Sequence, residues 1–200
     1  MAKFFKSAYF KCAATLLAII LISGISISIL SDVLYVSSEE RTGRALQKIY
    51  GRALSSSEYH VVLDAENGDD AESYAFGEIQ KIFRVGDENA KHDMIFKTTG
   101  KEGYKGGTVT LWIKVIVDGQ SQKIDKVVID GNTKQTLMSK LGDSYLKGFY
   151  IDISDNYQTY FTSNTKATDG KKNPVSGATM SAQAGCNAVN CVLEYLKGDN

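Results

Sequence analysis

A run of small and hydroxylated residues near the end of the chain is the segment best suited to chemistry. It reads NPVSGATMS from residue 173 to residue 181. Ser176, Thr179 and Ser181 supply hydroxyl groups, and Gly177 and Ala178 let the backbone come close to a ligand. A helix follows this run in the sequence pattern, and the unpaired N–H groups at a helix N-terminus favour a phosphate. A plain helix cap at Ser176 or Thr179 explains the same residues, and the residue types alone leave both interpretations open.

The helix that must position these hydroxyls is predicted from residue 181 to residue 197. Apolar residues recur there at helical spacing and form one stripe. The stripe consists of Ala188, Val189, Val192, Leu193 and Leu196. Cys186 and Cys191 are five residues apart and therefore point about 140° away from each other on a helix. We expect two buried free thiols there and no disulfide between them.

The clearest strand signal precedes this helix, in residues 108–117. The sequence TVTLWIKVIV alternates apolar residues onto one face, which is the period of a strand. Asp118-Gly119 then predicts a turn, and residues 123–130 predict a second strand. Residues 93–99 also look like a strand, whereas residues 73–85 fit a helix or a strand. The predicted fold class is α+β, with an antiparallel sheet packed by helices and one N-terminal transmembrane helix in front of it.

The segment from Cys12 to Leu30 contains nineteen residues without a charge. As a helix it is about 30 Å long, which matches the hydrocarbon core of a bilayer. Lys3, Lys6 and Lys11 precede it, so the positive-inside rule predicts a cytoplasmic N-terminus (residues 1–11), a transmembrane helix (12–30) and an extracytoplasmic remainder. A cleaved signal peptide exports the same domain, and a core helix of a soluble protein is the remaining alternative. The predicted location is the cell membrane, with a single pass.

The exported part divides into a juxtamembrane helix or linker (residues 31–60) and a domain (residues 61–200). Ser37 and Glu40 have the spacing of a capping box and predict a helix start. The whole chain has 23 basic and 23 acidic residues, and this balance, without a basic tail, argues against nucleic acid as a partner. The three lysines before the apolar segment leave the exported part with 20 basic against 23 acidic residues, a formal charge of −3.

No cluster in the sequence predicts a metal site or a catalytic residue. The acidic run DAENGDDAE (residues 64–72) lacks the ligand spacing of an EF-hand loop, so we interpret it as a solvated turn. His60 and His92 stand apart from each other and from any metal-binding spacing. Ser176 has no G-x-S-x-G context, which argues against a serine hydrolase.

The string S-G-A-T-x-S followed by an Ala/Val-rich helix resembles the flavinylation motif of the FMN-binding domain family. That family includes the singly anchored, FMN-carrying protein of Rnf-type ion-translocating electron transport complexes and a longer relative in the Na+-translocating NADH:quinone reductase. The resemblance implies FMN joined through its phosphate to the hydroxyl of Thr179 by a separate flavin transferase. It also implies that Ser176, Gly177, Ala178 and Ser181 form the recognition turn.

The resemblance extends upstream to about residue 100. Gly103-Tyr104-Lys105-Gly106-Gly107 before the predicted hairpin is similar to the family's G-Y-x-G entry, which implies a cofactor-binding role for Tyr104. Residues 133–142, TKQTLMSKLG, stand where the family carries an E-T-P-G-L-G-like segment that approaches the flavin. Gln135-Thr136 matches its Glu-Thr pair, which implies a cofactor-binding role for Thr136. The chain departs from the family at the missing Pro-Gly pair, and at Asn173, where the family has an acidic residue.

The resemblance implies a membrane-anchored electron-transfer subunit. Such a subunit relays electrons through covalent FMN within an Rnf-type ferredoxin:NAD complex and works beside other membrane subunits. Its redox chemistry belongs to the cofactor, so this chain is expected to be a redox subunit and no catalyst by itself. Two alternatives stay open: a stand-alone exported FMN-binding electron-transfer domain, and an exported binding module without flavin.

Overall fold

The computed structural model describes residues 8–34, 37–153, 160–162 and 177–198. The chain forms two compact units, Met1–Arg41 and Thr42–Asn200. The described secondary structure consists of helices and one antiparallel sheet. This arrangement confirms the predicted α+β class.

The first unit contains one long helix, α1, from Ala8 to Leu34. From Cys12 to Ser31 all its side chains are exposed, and among the described residues it is the one helix long and apolar enough to cross a membrane. Two of its serines bond to its own backbone: Ser23 Oγ donates to the carbonyl of Ile20 at 3.1 Å, and Ser26 Oγ donates to the carbonyl of Ile22 at 2.8 Å. Such local bonding satisfies hydroxyl groups without water.

Helix α2 runs from Ser38 to Tyr50 and begins where the sequence predicted. The backbone N–H of Glu40 donates to Ser37 Oγ at 3.1 Å, which confirms this half of the capping box. Further along, Ala45, Leu46 and Ile49 are buried and pack against the sheet. The last turns of this helix therefore belong to the folded second unit.

The sheet has six strands in the order β1-β3-β4-β5-β6, with β2 paired to β3, and every pairing is antiparallel. The strands are β1 (Tyr59–Asp64), β2 (Glu72–Tyr74), β3 (Gly77–Val85), β4 (His92–Gly100), β5 (Val109–Asp118) and β6 (Ser121–Asn132). The three predicted strands correspond to β4, β5 and β6. The ambiguous residues 73–85 form the end of β2, a two-residue turn and the whole of β3, because β3 pairs with strands on both of its sides.

Helix α4, from Thr179 to Gly198, covers one face of the sheet, and α2 covers the other. The predicted stripe of α4 is buried in the main core, which confirms it. The two packed layers are in tight contact at Gly100 in β4, where a Cβ atom would lie 1.9 Å from the carbonyl oxygen of Ala184. On the opposite face, Phe83 and Trp112 stack with ring centroids 6.0 Å apart beneath α2.

The acidic run after β1 is only partly a solvated turn. Residues 66–70 are exposed, but Asp64 is buried. Lys81 Nζ, itself almost fully buried, lies 3.1 Å from Asp64 Oδ1 and 3.1 Å from Glu66 Oε2. A bulge between Ile79 and Lys81 turns this lysine toward the loop, and the alternating pattern of β3 does not reveal such a bulge. The prediction of a solvated turn was therefore wrong for Asp64.

Between β6 and α4 the chain forms short helical turns that pack against the core. A 3-10 turn covers Met138–Lys140, and the short helix α3 covers Asp143–Leu146. Tyr145 is buried, and its hydroxyl donates to the carbonyl oxygen of Ala182 in α4 at 2.8 Å. Burial is the main cause that raises the pKa of Tyr145. This hydroxyl therefore stays protonated and supports the first turns of α4.

Candidate functional site

A cleft of about 360 Å³ lies at the start of α4. One wall comes from the loop before β5 and from the segment after β6, and the other wall is the first turn of α4. The lining residues are Tyr104, Thr136, Leu137, Gly177, Ala178, Thr179, Met180 and Ser181. Six of the seven cofactor-binding residues expected from the sequence meet here. The seventh, Ser176, and the divergent Asn173 lie outside the described residues.

Thr179 is the first residue of α4, and its side chain is exposed. The N–H of Ala182 donates to the carbonyl of Ala178 at 2.9 Å, so Ala178 occupies the N-cap position. A cap role for Thr179 is therefore wrong. Its hydroxyl has no hydrogen-bond partner within the described part of the chain, and Gly177 turns the backbone into the helix with a φ of +78°.

The first turn of α4 lines the cleft with Thr179, Met180 and Ser181. The first N–H groups of an α-helix have no acceptor inside the helix, and the helix dipole places partial positive charge beside them. Lys140 adds a full positive charge: a Cβ atom on Gly177 would lie 2.9 Å from Lys140 Nζ. Lys140 has no recognisable signal in the sequence, because its proximity to α4 depends on the packing of the turn after β6.

Tyr104 stands on the opposite wall in a tight loop. The N–H of Gly103 donates to the carbonyl of Gly107 at 2.8 Å, and Lys105 adopts a left-handed conformation with a φ of +52°. This geometry holds the ring at the surface, where it is 39% exposed. Lys105 Nζ lies 5.4 Å from the ring centroid. The loop thus contributes an aromatic side chain to the lining of the cleft.

Three exposed apolar side chains line the cleft. Leu137 and Met180 are 37% and 50% exposed and lie on opposite walls, with Tyr104 beside them. Exposed apolar groups clustered around a few polar ones are typical of small-molecule sites. The volume is at the lower end of the range for such sites, roughly 300 to 1,000 Å³.

Gln135 connects the two walls, and the sequence analysis assigned it no role in binding. Ser181 Oγ donates to Gln135 Oε1 at 2.7 Å, and the N–H of Tyr104 donates to the same oxygen at 3.0 Å. Gln135 Nε2 donates to the carbonyl of Thr133 at 2.8 Å. The glycine-rich loop at Tyr104 and the motif residue Ser181 can each be recognised in the sequence, but only the fold brings both of them to one amide group.

The cleft combines a reachable hydroxyl, a positive helix terminus with a nearby ammonium group, and an aromatic and apolar surface. This set suits a ligand with a phosphate at one end and a flat, largely apolar ring system at the other. Among the described residues no group of three or more His, Cys, Asp or Glu side chains is placed to hold a metal ion. No family model, curated protein or solved structure matches this chain.

Proposed function

We propose that this protein is a membrane-anchored electron-transfer flavoprotein that carries FMN covalently, through a phosphoester to Thr179. The supporting observation is the cleft itself. Residues that the family resemblance named in three separate segments, Tyr104, Thr136 and Thr179, line one cleft of suitable size. The most specific form of the proposal is a counterpart of the singly anchored FMN carrier of Rnf-type complexes, which relays electrons between ferredoxin and NAD modules during ion translocation.

The cleft residues fit the chemistry of FMN. The exposed hydroxyl of Thr179 is accessible to an attachment enzyme, and the phosphoester formed there sits at the positive end of α4. Charge near the N-terminus of a helix is worth about 0.3 to 1 kcal/mol for an anion at the surface. Tyr104, Leu137 and Met180 offer the apolar and aromatic surface that a flavin ring requires. In the resemblance Thr136 is also a cofactor-binding residue, and it lies in the same cleft.

Attachment through the phosphate needs an activated donor. The Thr179 oxygen forms a new P–O bond to the FMN phosphorus, and the hydroxyl proton leaves to a base of the transferase. A flavin dinucleotide such as FAD balances this step, because its phosphoanhydride bond breaks and a nucleoside monophosphate departs. A partner enzyme is therefore part of the proposal, since the described cleft contains no candidate base for the hydroxyl proton.

The residues of this chain hold and orient the cofactor, and none of them is proposed as catalytic. When bound, FMN supplies the one- and two-electron redox chemistry of the isoalloxazine ring. The open cleft leaves space for a redox partner to approach, and the covalent bond prevents loss of the cofactor outside the cell. Both features suit a carrier that hands electrons to neighbouring subunits.

Helix α1 serves in this proposal as a single membrane anchor. Its apolar stretch has the length that a bilayer requires, and Lys3, Lys6 and Lys11 before it favour a cytoplasmic N-terminus. The domain with the cleft is then extracytoplasmic. Intact mass of the purified chain tests this reading against a cleaved signal peptide, because cleavage removes the apolar segment.

Covalent labelling provides the direct test. The full chain is co-expressed with a flavin transferase and FAD supply, and the denatured band is examined for flavin fluorescence and for a mass increase of one FMN. We expect Thr179→Val to abolish the label, whereas the matched control Thr110→Val, on strand β5, keeps it. A folded, unlabelled wild-type chain would refute the proposal and favour a binding module without flavin.

Co-purification separates the two flavin-dependent alternatives. A labelled chain that isolates with polytopic membrane subunits supports the Rnf-type role. A labelled chain that isolates alone under the same mild detergent conditions supports a stand-alone electron-transfer domain.

A further inference from the structure

The side-chain amide of Gln135 joins three parts of the chain at the edge of the cleft. It accepts hydrogen bonds from Ser181 Oγ (2.7 Å) and from the N–H of Tyr104 (3.0 Å), and it donates to the carbonyl of Thr133 (2.8 Å). A longer contact of 3.4 Å joins Nε2 to the carbonyl of Tyr104. Both polar atoms of this amide therefore have partners, and the partners belong to different walls.

The orientation of this amide follows from its neighbours. A backbone N–H can only donate, so the N–H of Tyr104 must face Oε1. Backbone carbonyls can only accept, so Thr133 and Tyr104 must face Nε2. Ser181 can donate to the oxygen without conflict. The network has one consistent assignment, and it requires an amide with both an acceptor and a donor.

The surrounding backbone leaves a slot of the size of this amide. A Cβ atom on Gly103 would lie 2.5 Å from Gln135 Nε2, and a Cβ atom on Gly107 would lie 2.4 Å from it. Any side chain at either glycine would therefore displace the amide. Lys134, just before Gln135, adopts a left-handed φ of +57°, a conformation that is unfavourable for a non-glycine residue. The loop thus holds an unfavourable conformation at the point where it presents Gln135 to the slot.

We infer that Gln135 is a positioning residue that holds Tyr104 and the first turn of α4 in one fixed arrangement, so that the Tyr104 ring faces a flavin attached at Thr179. The inference rests on the proposed function for the identity of the ligand. Gln135 acts through two neighbours: it fixes the backbone of Tyr104 on one wall and the hydroxyl of Ser181 on the other. Ser181 is two residues from Thr179 on the same helical turn.

A glutamate at this position meets a different environment. One carboxylate oxygen still accepts from Tyr104 and Ser181, but the other faces the carbonyl oxygens of Thr133 and Tyr104 without a proton to donate. Repulsion between acceptors then opens the arrangement. Gln135→Glu therefore preserves the shape of the side chain, removes the donor and adds a negative charge, whereas Gln135→Ala removes both donor and acceptor.

The first measurement needs no cofactor. Amide hydrogen exchange at Tyr104 is followed by NMR in the full chain without attached flavin, in detergent micelles. We expect Gln135→Ala to accelerate exchange at the Tyr104 N–H many-fold, because its acceptor is lost. The matched control is Gln47→Ala, an exposed position of α2 on the other face of the sheet, and it leaves exchange at Tyr104 unchanged. Equal protection in wild type and Gln135→Ala would overturn the inference.

The second measurement uses the flavin-labelled chain. A phenol ring against a flavin quenches its fluorescence, so we expect Gln135→Ala and Gln135→Glu to brighten the attached flavin several-fold, with the exposed control Gln47→Ala unchanged. In a Tyr104→Ala background the Gln135 substitutions should produce no further brightening, because Gln135 acts through Tyr104. Full brightening in that background, or wild-type fluorescence in Gln135→Glu, would overturn the inference.

These two measurements also separate failure of the inference from failure of the proposed function. Absence of label on the wild-type chain refutes the flavin proposal and, with it, the stated purpose of the arrangement. The exchange data report independently whether Gln135 holds Tyr104. A normal label with unchanged fluorescence in Gln135→Ala refutes only the role of Gln135.

Discussion

Replacement of Gly100 by alanine places a methyl group where strand β4 and helix α4 are in tight contact. The added Cβ would lie 1.9 Å from the carbonyl oxygen of Ala184 and 2.4 Å from the amide nitrogen of Ala188. Both atoms belong to the backbone of α4, so a side-chain rotation cannot relieve the overlap. The helix itself must move away from the sheet.

The size of the effect follows from these distances. Ordinary contact begins near 3.4 Å, so α4 must retreat by about 1.5 Å over this part of the sheet. A radial gap of 0.5 to 1 Å already removes a quarter to a half of the dispersion energy of the atoms involved. Overpacking of a core costs about 1 to 3 kcal/mol and sometimes more. We expect Gly100→Ala to lower the free energy of unfolding by about 3 kcal/mol.

Urea denaturation of the full chain in detergent measures this loss. Trp112 is the single tryptophan and is buried against Phe83, so its fluorescence reports unfolding of the sheet domain. With a slope of about 2 kcal/mol per molar urea, the midpoint should fall by about 1.5 M. Gly43→Ala is the matched control, because a Cβ at this exposed position in α2 meets nothing within 4 Å.

The control should change stability in the opposite direction. Alanine in a helix interior is favoured over glycine by about 0.5 to 1 kcal/mol, so Gly43→Ala should raise the midpoint slightly. A Gly100→Ala variant as stable as the wild type would refute the close approach of β4 and α4. The same result would also contradict the described cleft wall, because Thr179 lies at the start of α4.

Two further predictions concern buried polar groups outside the cleft. Lys81→Met leaves the carboxylates of Asp64 and Glu66 without the ammonium group 3.1 Å from each of them. We expect the free energy of unfolding to fall by about 3 kcal/mol in the same urea titration. A decrease below about 0.5 kcal/mol, the usual range for surface substitutions, would contradict a buried ion pair. Burial raises the pKa of Cys191 to about 12, so its thiol should resist iodoacetamide at pH 8 until the domain unfolds. Mass spectrometry of the residue-191 peptide checks this, and rapid modification in native buffer would contradict the burial.

Much of the architecture could be predicted because its signals are local. The apolar run of α1, the capping box at Ser37 and the alternation in β5 each follow from neighbouring residues. The strand β3 could not be distinguished from a helix, since its identity depends on pairing with β1 and β4. The burial of Asp64 was missed for a similar reason: it depends on Lys81, which a bulge in another strand turns toward it.

The residues of the candidate site were predictable in type but their assembly was not. The motif around Thr179 and the glycine-rich loop around Tyr104 were visible as separate segments. Gln135 matched a family glutamate in the sequence, and only the fold showed that its amide contacts both segments. Lys140 gave no signal at all, because its distance from Gly177 depends on how the turn after β6 packs.

The amino-acid sequence by itself determined the apolar N-terminal helix, the α+β class and the hydroxyl-bearing turn before the last helix. Local periodicity and residue type suffice for these features. Tertiary structure alone decided that Tyr104, Thr136 and Thr179 line one cleft, and that a single amide connects its walls. Contacts between segments distant in sequence depend on strand register and on the close packing of α4 at Gly100, and no local pattern specifies either.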